Sequence, residues 1–170
     1  MKYTKKIIHH QIDNLIEIKL DNFTDNRGEI WSIYEECDLL PKFVEDKVTI
    51  SKKNVLRGLH GDYETYKLIT CLHGKIFLVV ADVRNDSPTY LRTKTFYVSD
   101  DNPTMILVPP GCLNGHLCLS EKCVFFYKWS NKYEGPEKQL TISWNDPKLK
   151  IKWPINNPVL SLRDTQATNL

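Results

Sequence analysis

The sequence lacks any apolar run approaching the roughly 18 residues of a membrane-crossing helix, so no spanning segment is expected. Its basic start, Met1 to His10, leads into no apolar stretch of the kind a secretory leader carries, and a cytoplasmic location is expected. Cysteine is sparse. Cys37, Cys71, Cys112, Cys118 and Cys123 make an odd count of five with no Cys-x-x-Cys spacing, which suits neither a disulfide framework nor a thiolate zinc site. Free, buried thiols in a reducing compartment are expected instead. Strong charge of one sign is also missing. The net charge is +2 with no dense Lys/Arg block, so neither a nucleic-acid partner nor a membrane surface is expected. Internal repeats, low-complexity stretches and Pro/Gly/Ser linkers are absent from the 170 residues. One domain over residues 1–170 is expected, large enough to bury a core.

What the chain does have is short runs of Val, Ile, Tyr, Phe, Trp and Thr punctuated by turn residues. That pattern predicts an all-β sandwich or barrel. Leu15–Leu20 alternates, with Ile16, Ile18 and Leu20 on one face. A turn at Asp25-Asn26-Arg27-Gly28 precedes a strand over Glu29–Tyr34, and residues 35–43 read as a loop or short helix. Lys47–Ser51 and Val55–His60 are strand-like. Lys67–Leu72 and Lys75–Val83 read as a hairpin turning at His73-Gly74. Consecutive apolar residues from Ile76 to Ala81 imply a strand buried on both faces. Thr93–Val98, Thr104–Val108, Leu117–Leu119 and Val124–Trp129 are further strands, with Pro109-Pro110-Gly111 breaking the chain sharply. The tail is rich in proline and irregular, yet Trp144, Ile151 and Trp153 suggest that it packs on the barrel.

The residues with chemical promise are Arg57-Gly58-Leu59-His60, Lys67, Pro109-Pro110-Gly111, Tyr127-Lys128, Tyr133 and Asp164. A base, a cation and a phenol fall at or just beyond strand ends, where the mouth of a barrel commonly holds a small molecule. Collinear with these are Asp25-Asn26-Arg27-Gly28, Asp82-Val83-Arg84, Ser87-Pro88-Thr89, Trp144-Asn145-Asp146-Pro147, Trp153-Pro154 and Leu160-Ser161. Together these segments resemble the dTDP-4-dehydrorhamnose 3,5-epimerase family of sugar-nucleotide enzymes over nearly the whole chain. The resemblance implies a cupin jelly roll, usually a homodimer, that needs no cofactor and inverts carbons flanking a C4 ketone.

Such a reaction needs a base for a weakly acidic C–H, a group to stabilise the enolate oxygen, and an acid on the opposite face. By resemblance, His60 is the base, since imidazole is basic near neutrality. Asp164 is its carboxylate partner. Lys67 lies beside the sugar O4, and Tyr133 is the phenol that returns a proton. Arg57 and Arg27 match arginines near the nucleotide diphosphate, which a planar guanidinium grips in pairs; a surface ion pair is the alternative for either.

Several positions depart from the family. Asn114 stands where the family usually has His in Pro-Pro-Gly-x-x-His-Gly-Phe, and His116 replaces the aromatic after Gly115. An amide still hydrogen-bonds a substrate but does not shuttle a proton; His116 is a substitute for the missing imidazole or a buried structural residue. Gly61-Asp62 replaces Tyr-Gln after the His, and the stretch to Lys67 is shorter. Glu29-Ile30 follows Gly28 in place of an aromatic, which opens the nucleobase to GDP or another base. Lys132 replaces an aromatic beside Tyr133. The expected substrate-side residues are therefore Arg57, Arg27, Asn114, Glu29 and His116. The expected activity is a C3 and/or C5 epimerase of a nucleotide-linked 4-keto-6-deoxy hexose or heptose. The rivals are a sugar-nucleotide 3,4-ketoisomerase, a non-catalytic nucleotide-sugar-binding cupin, and a metal-dependent cupin. The last needs at least three protein ligands, and Leu59-His60-Gly61-Asp62 supplies one His, so no metal is expected.

Overall fold

A computed structural model describes residues 6–170. The chain runs through β1 (Lys6–His9), β2 (Ile16–Lys19), β3 (Phe23–Asp25), β4 (Gly28–Ile30), β5 (Glu45–Lys52), β6 (Leu56–Gly61), β7 (Lys67–His73), β8 (Lys75–Asp82), β9 (Thr93–Ser99), β10 (Thr104–Val108), β11 (Cys112–Cys118), β12 (Lys122–Trp129), β13 (Leu140–Thr141) and α1 (Leu162–Thr165). A six-stranded sheet in the order β1-β2-β10-β7-β12-β5 faces a five-stranded sheet in the order β13-β6-β11-β8-β9, and β3 and β4 form a separate hairpin. All strand pairs are antiparallel. This is the jelly-roll sandwich that the sequence predicts. No helix among the described residues is long and apolar enough to cross a membrane.

Three apolar layers hold the sandwich together. Between the sheets, Ile69, Ile106, Val108 and Phe125 meet Leu78, Val80, Phe96 and Val98. Outside the five-stranded sheet, Phe77, Val79 and Ala81 are covered by Leu149, Trp144, Ile151 and Trp153. The tail therefore does pack on the barrel, with Trp153 Nε1 donating to the Trp144 carbonyl at 2.7 Å. Strand β8 is buried on both faces because this tail covers the side that in a two-layer sandwich meets water. Outside the six-stranded sheet, Ile16, Ile18 and Leu20 form the alternating face read from the sequence, covered by Trp31, Ile33, Tyr34 and Phe43.

Four local expectations change. His73-Gly74 is a corner and not a hairpin turn: β7 pairs with β10 and β12, whereas β8 pairs with β9 and β11. Gly74, at φ +78°, lets the chain cross from one sheet to the other. The strand after Gly28 ends at Ile30, whereas residues 35–43 keep the loop reading, with turns and no helix. Strand β11 starts at Cys112, five residues before the predicted Leu117. Its Asn114-Gly115 pair looks like a turn but is a close approach: a Cβ on Gly115 would lie 2.9 Å from Leu59 Cδ2 and 3.1 Å from the Arg57 carbonyl oxygen. All five cysteines are free and four are buried, but Cys37 is exposed.

Candidate active site

The inter-sheet core turns polar toward one end of the sandwich. Along β12 the inward side chains run Cys123, Phe125, Tyr127, Trp129, and Cys123 and Phe125 belong to the apolar core. Phe125 also lines, with Tyr127 and Trp129, a cavity of about 340 Å³, together with Lys67 of β7, Lys47 and Thr49 of β5, His60 of β6, and Asn114 and His116 of β11. The segment carrying Ser161, Arg163 and Asp164 closes one side.

His60 Nε2 lies 2.6 Å from Asp164 Oδ1. The pair is 104 residues apart in the chain, and α1 exists to present its acidic member. Ser161 caps α1: its hydroxyl accepts from the Asp164 amide at 3.2 Å and donates to Asp164 Oδ2 at 2.9 Å. Burial pushes the Asp164 carboxyl up, but hydrogen bonds from His60, Ser161 and the Gly58 amide outweigh it and hold the group below the ordinary carboxylate value. An ionised carboxylate only accepts, so the hydrogen bond places a proton on His60 Nε2, and in the neutral imidazole the lone pair is then on Nδ1.

Lys67 is 3% exposed. Its ammonium contacts the His60 carbonyl at 3.4 Å and Asn114 Oδ1 at 3.3 Å, and sits 4.7 Å from the Trp129 ring centroid. Burial lowers its pKa to about 8, reinforced by Arg163 and Lys47 and opposed by Asp62. Arg57 Nε donates to Ser51 Oγ at 3.1 Å, and Arg163 Nε donates to Thr141 Oγ1 at 2.9 Å. Among the described residues no carboxylate ion-pairs with Arg57, Lys67 or Arg163. Lys47 pairs with Glu45 at 3.2 Å, but Arg57, Lys67 and Arg163 have neutral hydrogen-bond partners, which favours an anionic ligand in the cavity.

Two phenols reach the cavity. Tyr127 projects from β12 in the six-stranded sheet, opposite His60 in the five-stranded sheet. Burial raises its pKa, with Tyr133 and Glu45 adding to the effect and Arg57 opposing it, so it stays protonated. Tyr133 lies at the rim, 37% exposed. Its amide donates to Glu45 Oε2 at 2.7 Å, and the Lys47 ammonium sits 3.6 Å from its ring centroid.

His116 stacks on Phe125 at 4.0 Å with 8° between the ring planes. Among the described residues, three buried polar atoms lack a protein partner, Thr49 Oγ1, His116 Nε2 and Trp129 Nε1, and all belong to cavity-lining residues. Burial, with Arg57 and His60 nearby, pushes the His116 imidazole down from its ordinary 6.5 to about 3. The unfolded chain therefore binds a proton below pH 6.5 that the folded chain refuses until about 3, and stability falls as pH drops through that window. The slope approaches ~1.4 kcal/mol per pH unit. His116→Phe should keep the stack and remove most of this slope, as read by urea midpoints from pH 6.5 down to about 4.5. An unchanged slope would place the acid sensitivity elsewhere.

Of the expected site residues, His60, Lys67, Tyr133, Asp164, Arg57, Asn114 and His116 line this one cavity. Arg27 and Glu29 do not. They sit on the exposed β3–β4 hairpin, where Arg27 grips Asp25 (Nη2 to Oδ2 2.6 Å) and Glu29 accepts from Asn22 at 2.8 Å. Lys47, Thr49 and Arg163 join the site without having been anticipated, and Tyr127 acquires a place in it that its motif alone did not give. Lys47 and Thr49 escaped because β5 inverts the usual alternation: Val48 and Ile50 point outward, 56% and 60% exposed. The signal was there, as polar residues at every second position.

The family model described as dTDP-4-dehydrorhamnose 3,5-epimerase matches residues 9–170. The dTDP-4-dehydrorhamnose 3,5-epimerase of Salmonella typhimurium is 34% identical over 95% of this chain and 93% of its own. That of Escherichia coli is 34% identical over 96% and 94%. Among solved structures, the dTDP-6-deoxy-D-glucose-3,5-epimerase of Legionella pneumophila in complex with dTDP-4-keto-L-rhamnose superposes with TM-score 0.91 at 32% identity, covering 98% of this chain and 93% of that one. The Bacillus anthracis dTDP-4-dehydrorhamnose 3,5-epimerase with TDP and pyrophosphate bound gives 0.93 at 30% identity, covering 98% and 100%. With a match that spans the sandwich and reaches every element of the cavity, the chain belongs to the dTDP-4-dehydrorhamnose 3,5-epimerase family.

Proposed function

We propose that this protein epimerises a dTDP-linked 4-keto-6-deoxy sugar at C3, C5 or both, through an enolate. The observation that carries the reading is the His60–Asp164 pair facing the buried Lys67 ammonium across one cationic cavity. His60 Nδ1 takes the proton from the carbon beside the ketone. The C–H electron pair moves into the ring and the carbonyl oxygen becomes an enolate, which Lys67 stabilises by hydrogen bond and charge. A phenol then protonates the carbon from the other face. Family resemblance favours Tyr133 for that step. The geometry favours Tyr127, because it projects from the sheet opposite His60 while Tyr133 stays at the rim in contact with Lys47 and Glu45.

Arg57 and Arg163 supply charge for the diphosphate. An adjoining hollow of about 510 Å³, lined by residues 62–65 and 131–135 and sharing Trp129, Tyr133 and Gln139 with the cavity, leaves room for the nucleoside. dTDP is preferred to GDP because the relatives' names carry dTDP sugars; heptose substrates and the ketoisomerase and binding-protein readings have no such support. A homodimer belongs to the same proposal. Strand β5 is the free edge of its sheet, with Val48 and Ile50 turned outward, and Arg27 and Glu29 lie on an exposed hairpin outside the cavity lining.

The test is incubation in D₂O with dTDP- and GDP-linked 4-keto-6-deoxy hexoses and a 4-keto heptose, reading deuterium at C3 and C5 by NMR. Uptake with the dTDP hexose and none with GDP substrates is expected. Nucleotide-sugar binding without exchange would favour the binding-protein reading, and movement of the ketone to C3 would favour the ketoisomerase.

A further inference from the structure

We propose that Asn114 is a positioning residue that acts through Lys67: its side-chain carbonyl aims the Lys67 ammonium at the substrate's keto oxygen and, being uncharged, leaves that ammonium without a salt-bridged carboxylate. The inference rests on the epimerase reading and assigns Asn114 a task other than touching the sugar.

An ammonium has three N–H donors and no acceptor. In Lys67 two contacts go to neutral oxygens, the His60 carbonyl at 3.4 Å and Asn114 Oδ1 at 3.3 Å. The Trp129 ring covers another side at 4.7 Å, and the remaining N–H is left for the cavity. Asn114 is also the cross-strand partner of His60 in the β11–β6 ladder. The residue that aims Lys67 and the residue that removes the proton are therefore neighbours on one sheet, so a single backbone pairing sets both ends of the chemistry. That pairing has little room to drift. A Cβ on Gly58 would stand 2.5 Å from Gly115 Cα and 2.9 Å from the Asn114 carbonyl oxygen, so the strands are in contact there.

The residue type follows from what Lys67 must do. A carboxylate at position 114 would neutralise the ammonium before the enolate forms. An apolar residue would leave a buried donor unpaired. An amide accepts at every working pH and adds no charge. The other groups facing Lys67 are Lys47 on β5, Asp62 after β6 and Arg163 on α1, with the paired His60 and Asp164 beyond.

The experiment follows Lys67 by ¹³Cε NMR titration in the wild type, Asn114→Ala and Asn114→Asp, alongside deuterium exchange into the keto sugar. Asn114→Asp should raise the Lys67 pKa by about one unit or more, and Asn114→Ala should lower it. Asn114→Ala should slow exchange ~10²-fold with KM changed less than about threefold, and the basic limb of the rate profile should track Lys67 in each protein. A titration identical in all three proteins, or exchange in Asn114→Ala within about twofold of wild type, would overturn the inference. If Lys67 titrates as expected but no protein exchanges any keto sugar, the positioning stands and the epimerase reading fails.

Discussion

His60→Gln should abolish both deuterium exchange and epimerisation, by ~10³–10⁴-fold, while nucleotide binding holds. Glutamine is chosen over asparagine because its Nε2 reaches as far as the imidazole Nε2 and keeps a donor for Asp164, which lies 2.6 Å from His60 and is 3% exposed. Removing the His60 donor would leave that buried carboxylate with only Ser161 and the Gly58 amide, which would destabilise the protein and confuse loss of chemistry with loss of fold. The amide has no basic lone pair to take a carbon-bound proton, so the base is removed and its scaffold stays. Asp164→Asn is the complementary variant. Its amide no longer demands the Nε2–H tautomer, so the Nδ1 lone pair is not assured and a loss of ~10²–10⁴-fold is expected. Exchange in His60→Gln within about tenfold of wild type would remove His60 from the proton transfer.

The two members of this pair show what a sequence discloses. His60 is legible because Arg57-Gly58-Leu59-His60 is a compact motif. Asp164 lies 104 residues away, and no spacing rule joins it to His60; only family resemblance did. Arg163 sits beside Asp164 yet went unread, since one arginine on a short terminal helix has no local pattern. Alternation worked where one face is apolar and buried, as for Ile16, Ile18 and Leu20. On β5 the strand is legible but its inward face is not, because the cavity reverses the usual sense: Lys47 and Thr49 face inward while Val48 and Ile50 face out.

Turn chemistry was legible as a change of direction but not as a choice of partner. Gly74 does turn the chain, yet whether β7 and β8 pair is decided by strands far away in sequence, β10 and β12 for one, β9 and β11 for the other. The same limit hid the first half of β11. Asn114-Gly115 has the composition of a turn, and only the proximity of Leu59 and Arg57 explains the glycine. The local signal is real in both cases, and the long-range contact decides its meaning.

Tyr127→Phe should separate the two halves of the reaction. The substitution removes one hydroxyl and keeps the ring against Phe125 at 5.0 Å and Trp129 at 5.8 Å, so packing changes little. With His60 intact, the carbon-bound proton still leaves, and His60 returns a deuteron to the face it came from. Exchange into unreacted substrate should persist within about tenfold, while inversion falls ~10²–10⁴-fold because the opposite face has lost its acid. Tyr133→Phe is expected to spare the ratio of exchange to inversion, since its ring sits at the rim over Lys47. The opposite result, uncoupling in Tyr133→Phe and not in Tyr127→Phe, would return the proton donor to the residue that family resemblance assigned. The ratio of exchange to inversion thus reports which tyrosine, Tyr127 of β12 or Tyr133 of the rim loop, supplies the second proton, and a rate alone does not.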